Sequence, residues 1–133
     1  MNVRYEFRVW HKDRKYMYKN VAVGVGDNKI GYRLSGKSRY SWENTEDIVI
    51  LQYTGFNDSK DNKIFDGDIL KFGTSKTYLM SVHWKEYRFV FKKKGSTKLV
   101  DKFSQWNKVG NVLVLGNIYE NPELLSPKKS PSE

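Results

Sequence analysis

The chain has 133 residues, a net charge of +9, 15% aromatic residues and no cysteine. That length suits one core of ordinary size, and the missing thiols exclude disulfides, cysteine catalysis and zinc–thiolate centres. No apolar run approaches the roughly 20 residues of a membrane span, and the N-terminal residues alternate charged with apolar, so neither a membrane segment nor a leader is expected. A cytoplasmic location fits this composition.

The charge is unevenly spread. Residues 1–40 carry +7, 41–70 carry −5 and 71–110 carry +8. Such a chain suits a polyanionic partner held on one face, or self-association of acidic patch with basic patch.

The abundance of aromatic and β-branched residues favours strands. Val3, Tyr5, Phe7 and Val9 alternate with Arg4, Glu6, Arg8 and Trp10, the period of a half-buried strand. His11 to Lys15 reads as a polar turn, and Tyr16-Met17-Tyr18 opens a returning strand. Residues 19–47 are interrupted by Gly24, Gly26, Gly31 and Gly36. Short strands at Val21–Val25 and Ile30–Leu34 stand there against a long hairpin or mobile loop. Ile48 to Tyr53 is a strand whose continuous apolar run predicts burial on both faces, ended by Thr54-Gly55. Asn57 to Lys63 is a polar loop, and Phe65-Asp66-Gly67-Asp68 turns into a strand at Ile69. Two alternating strands follow, Tyr78 to Lys85 and Tyr87 to Lys92, joined by a turn at residues 84–87. Leu99 to Trp106 fits strand or short helix. Val112 to Leu115 reads as a short buried strand continued by Gly116 to Tyr119, with at most a helical turn at Glu123-Leu124-Leu125. Residues 1–125 are therefore expected to form one β domain and 126–133 a disordered tail.

Several motifs dissolve on inspection. Gly24-Val25-Gly26 lacks the third glycine of a dinucleotide fingerprint, because position 29 is Lys29, and it reads as a turn. Asn57 to Lys63 resembles a cation loop, but Lys60 occupies a ligand position, so a plain hairpin loop is expected. Asp66 and Asp68 would need further carboxylates or histidines to hold a metal or move a proton, and they read as turn formers. His11 and His83 are the only histidines and read as surface residues. No catalytic residue, metal site or cofactor is expected.

One segment carries functional promise. Lys85, Arg88, Lys92, Lys93, Lys94 and Lys98 are interleaved with Trp84, Tyr87, Phe89 and Phe91. Phosphate-neutralising cations among stacking rings are the chemistry of a single-strand nucleic-acid surface. The candidate interface is Trp84, Lys85, Tyr87, Arg88, Lys92, Lys93, Lys94 and Lys98. The plainer reading puts Phe89 and Phe91 in the core and the lysines on a solvated turn.

Three blocks resemble the YopX family of phage and prophage proteins: Phe7-Arg8-Val9-Trp10 with its turn to Met17, Gln52-Tyr53-Thr54-Gly55 with Asp66-Gly67-Asp68-Ile69, and Gly116 to Leu124. The resemblance implies a mainly β fold around an SH3-like barrel or roll with an N-terminal strand pair. It also implies an origin in Gram-positive phages, and it brings no established activity. Where family members often have an Asn-Gly turn, this chain has Asp61, which tolerates the left-handed region better than most residues. The expected function is a non-enzymatic binding module for nucleic acid. The alternative is protein interaction, as a homo-oligomer or as an adaptor to a host or phage protein.

Overall fold

The computed structural model describes residues 6–34, 36–73, 78–85, 88–95, 99–100 and 111–126. Among the described residues eleven strands run in chain order: β1 (Phe7–His11), β2 (Tyr16–Gly26), β3 (Lys29–Leu34), β4 (Ser41–Asn44), β5 (Ile48–Asn57), β6 (Lys63–Phe65), β7 (Asp68–Phe72), β8 (Tyr78–Lys85), β9 (Arg88–Lys93), β10 (Leu99–Val100) and β11 (Val112–Asn117). A 3-10 turn, Pro122–Leu125, follows. The protein is thus mainly β, as its composition predicts. The expected tail, 126–133, lies outside the described residues except for Ser126.

The strands form two antiparallel sheets, ordered β4-β3-β2-β1-β5-β6 and β10-β9-β8-β7-β11. The chain divides into two compact units, residues 1–57 with 63–66, and residues 58–62 with 67–133.

In the first unit, β1 lies between β2 and β5, pairing Val9 with Tyr18 and Ile50. Its core is Val9, Val21, Tyr32 and Ile48, flanked by Phe7, Tyr18, Val23, Ile30 and Leu34. Residues 19–47 form the β2–β3 hairpin and the added strand β4. Gly24 and Gly26 lie inside β2, and Gly24 is paired with Gly31, so the turn read at Gly24-Val25-Gly26 is corrected. The turn is Asp27-Asn28, with Asn28 left-handed at φ 54°. Strand β5 also outruns its expected end: Gly55, at φ 89°, absorbs a register shift between Tyr53 and Asn57 and lets pairing resume with β6.

In the second unit, Ile69, Leu70, Phe72, Val82, Phe89, Val90, Phe91 and Val112 are buried. Phe72 meets Phe91 edge to face at 5.2 Å. Strand β11 pairs with β7 through a bulge between Val114 and Gly116. Its end residues Val112 and Asn117 are buried, whereas Leu115 is 44% exposed, so the strand expected to be buried is half open.

The segment after β11 shows why its residues are specified. The Asn117 carboxamide oxygen accepts the amides of Tyr119 and Glu120, an Asx turn. The Asn117 amide donates to Asn121 Oδ1, and the Asn121 carboxamide fills the space where Gly116 has no side chain. Gly67, at φ 87°, has the Tyr119 ring against it, 2.9 Å from where a Cβ would stand. Pro122 then opens the 3-10 turn, where its missing amide costs nothing.

Candidate nucleic-acid interface

The β8–β9 hairpin carries most of the predicted interface. Its register is Met80 with Lys93, Ser81 with Lys92, Val82 with Phe91, His83 with Val90, Trp84 with Phe89, and Lys85 with Arg88. Cross-strand partners share a face of a sheet. One face therefore carries Trp84, Phe89, Val82, Phe91 and Lys93. The other carries Lys85, Arg88, His83, Val90, Ser81 and Lys92.

This pairing divides the predicted set. Trp84 and Lys93 lie on one face, and Lys85, Arg88 and Lys92 on the other. Lys94 follows at the turn, its amide donating to Leu79 O at 2.9 Å. Tyr87 and Lys98 lie outside the described residues. Phe89 and Phe91 are only 7% and 3% exposed, so they fill the core, as the plainer reading has it. Trp84, half exposed and packed edge-on against Phe89 at 4.8 Å, is the described aromatic of this set that faces solvent. The Lys93 ammonium lies 5.1 Å from the Tyr78 ring centroid.

At the open end of the hairpin a concavity of about 390 Å³ is lined by Ser81, His83, Lys92, Lys93, Lys94 and Gly95, with Ile118 and Leu125 as its apolar wall. Lys92 and Lys93 leave opposite faces of β9 yet both reach it, because the strand ends there. Ser81 Oγ is 2.8 Å from His83 Nε2 and 3.4 Å from Lys92 O. Burial, and secondarily the Lys92 ammonium, hold the His83 pKa below its ordinary value, so the imidazole is neutral near pH 7. A neutral imidazole, a hydroxyl and three ammonium groups suit an anion with several oxygens, such as a phosphate.

His11, expected at the surface, is buried at the end of β1, and that reading is corrected. Its Nδ1 accepts the Arg14 amide at 3.2 Å, and its Nε2 lies 3.5 Å from Glu43 Oε2. The same carboxylate accepts the Tyr32 hydroxyl at 3.3 Å, and Arg14 donates to Tyr32 and Tyr18 at 3.2 and 3.0 Å. Burial, then Tyr18 and Glu43, push the Tyr32 pKa up to about 12. This network ties the turn after β1 to β3 and β4. Sequence reading missed it because its members are spread over more than thirty positions, from His11 to Glu43.

Asp58 was equally invisible inside a polar loop. It is 6% exposed and accepts the amides of Lys60, Asn62 and Val114 at 2.9, 2.8 and 2.9 Å, plus the Asn62 carboxamide at 3.2 Å. Burial alone would raise its pKa. The amide bonds outweigh burial and hold it below the usual carboxylate value. Asp61 is left-handed, at φ 66°, as its place in the turn requires. Asp68 is buried at the start of β7. Among the described residues no three of His, Asp and Glu converge as a metal site, and no helix is long and apolar enough to cross a membrane.

Together these features define a small basic protein of two antiparallel sheets, in which the most specified turns serve architecture. The model of the YopX protein family matches residues 6–126, and the chain belongs to that family. It is similar to a solved structure, protein EF1440 from Enterococcus faecalis, with 29% identity and a TM-score of 0.65 over 91% of this chain and 97% of that one. No curated protein matches the chain.

Proposed function

We propose that the protein is a non-enzymatic, phage-derived module that binds nucleic acid in the host cytoplasm through the cationic end of the β8–β9 hairpin. The observation that carries this reading is the concavity lined by Lys92, Lys93, Lys94, Ser81 and His83. Three lysines and two neutral polar groups line it, a combination suited to backbone phosphates. The strand order supports kinship with SH3-like barrels: β7 to β10 form a meander and β11 returns beside β7. Small barrels of this kind offer such surfaces repeatedly.

The test is a salt titration of binding to labelled single-stranded DNA, duplex DNA and RNA. Replacing Lys92, Lys93 and Lys94 together by Glu should weaken binding and lower the slope of log affinity against log salt by about 2 to 3. Unchanged affinity and slope would overturn the assignment.

Self-association is the second reading, favoured by the exposed edge strand β4, which pairs only with β3 among the described strands. Light scattering that shows monomer at high concentration and low salt removes it.

A further inference from the structure

The first unit carries a second exposed aromatic surface, unrelated to the β8–β9 hairpin. Strand β4 pairs Trp42 with Gly31, and β3 in turn pairs Gly31 with Gly24. These three positions share one face of the sheet. The indole lies over this glycine floor: a Cβ at Gly31 would stand 2.9 to 3.0 Å from three of its ring atoms, and Cβ atoms at Gly24 and Gly26 would stand 3.5 and 3.4 Å from its benzo edge. Tyr40 meets the same floor, 3.5 Å from the Gly24 position, with its ring centroid 5.7 Å from that of Trp42 and the planes inclined by 32°. The two rings therefore form a shallow shelf. Its inner side rests on backbone and its outer side meets solvent, with Trp42 49% and Tyr40 38% exposed. Glycine inside a strand weakens it relative to alanine, and it marks a site where something approaches the backbone closely.

A cation stands at the Tyr40 end of the shelf, and two more flank Tyr40 in the chain. Arg33 stands 5.7 Å from the Tyr40 centroid and donates to Lys37 O at 2.9 Å. Lys37, Ser38, Arg39 and Ser41 line a concavity of about 380 Å³ in the segment that presents Tyr40. The acidic neighbour in β4, Glu43, pairs with Ile30 and so faces the opposite side, toward Arg14 and His11.

We infer that Tyr40 and Trp42 form a stacking shelf for the unpaired bases of single-stranded nucleic acid, with Lys37 and Arg39 holding the adjoining phosphates. This rests on the nucleic-acid reading above and names the form bound. Stacking is tolerant of sequence because every base offers a π-face, while duplex bases are already stacked on each other. The shelf adds affinity for single strands that the lysines of β9 cannot supply.

The experiment compares the whole protein with its Trp42→Ala and Tyr40→Ala variants. Each is titrated with a fluorescent 12-nucleotide single strand, with a strand of equal length lacking bases, and with duplex DNA, and the fold of each variant is checked by circular dichroism. Trp42→Ala should weaken binding of the normal single strand by about 5- to 150-fold and leave the abasic strand unchanged. Tyr40→Ala should act in the same direction to a smaller degree. Wild-type binding of the single strand no tighter than of the abasic strand would overturn the shelf. So would unchanged affinity in both variants while the Lys92–Lys94 charge reversal still abolishes binding, and the nucleic-acid reading would then survive. No binding of any of the three probes by wild type would end both readings.

Discussion

Asp58 offers the sharpest energetic test. Its carboxylate is 6% exposed and accepts four hydrogen bonds, three from backbone amides and one from Asn62. The bond to Val114 reaches across 56 residues of sequence. Hydrogen bonds to a charged group contribute about 1.5–3 kcal/mol each in isolation, but removing one shared acceptor is not additive. Asp58→Ala removes the acceptor shared by these part-buried bonds, so a loss of about 2–4 kcal/mol is expected. Asp58→Asn keeps one acceptor oxygen and should cost about 1–2 kcal/mol. The sign of the pH effect follows from the lowered pKa. Stability from Asp58 is fully present above the unfolded carboxylate value near 3.9 and disappears as pH falls through the lower folded value. Urea unfolding of wild type, Asp58→Ala and Asp58→Asn at pH 7 and near pH 2.5 measures both effects. The gap between wild type and Asp58→Asn should narrow as pH falls below the unfolded value. An equal gap at both pH values, or a cost below about 1 kcal/mol for Asp58→Ala, would refute the reasoning.

Other predictions follow from the same geometry. Gly116→Ala should destabilise by about 2–4 kcal/mol, because its Cβ would stand 2.7 Å from Asn121 Cγ and displace the acceptor of the Asn117 amide. A denaturation midpoint that does not move would count against that packing. The His83 imidazole should titrate below its ordinary value, by proton NMR of the ring, and Lys92→Gln should move it part of the way back. Because the folded value is depressed, the neutral ring's contribution to stability is present above the unfolded value near 6.5 and is lost as pH falls through the folded one.

Local periodicity was legible along the chain. The alternations read at residues 3–10, Tyr78–Lys85 and Tyr87–Lys92 are, within the described residues, the strands Phe7–His11, Tyr78–Lys85 and Arg88–Lys93, because period-two patterning is a property of neighbours. The Asp61 turn and the 3-10 turn at Pro122–Leu125 were legible for the same reason. What the sequence concealed depends on distant residues. Gly24 and Gly26 look like turn formers until Trp42, sixteen and more positions later, is laid over them. His11 looks like a turn residue until Glu43 arrives from β4. The exposure of Lys85, Lys92, Lys93 and Lys94 was legible, but register assigns Lys92 and Lys93 to opposite faces and sends Phe89 and Phe91 inward. Composition cannot report which side of a hairpin a residue occupies.

The interleaving of the two units has a consequence for synthesis. Neither is a continuous stretch of chain: residues 58–62 group with 67–133, and residues 63–66 with 1–57. The first unit has all its strands once Phe65 has been made. The second must wait for Val112 and Val114, which bond the Ser59 hydroxyl and the Asp58 carboxylate made more than fifty residues earlier. A nascent chain therefore holds the β5–β6 loop without these two long-range bonds while more than fifty further residues are made, and any truncation before β11 leaves it so. Contacts of such sequence separation close late and slowly. A gene fragment ending before Val112 should yield a folded first sheet and an unfinished second one.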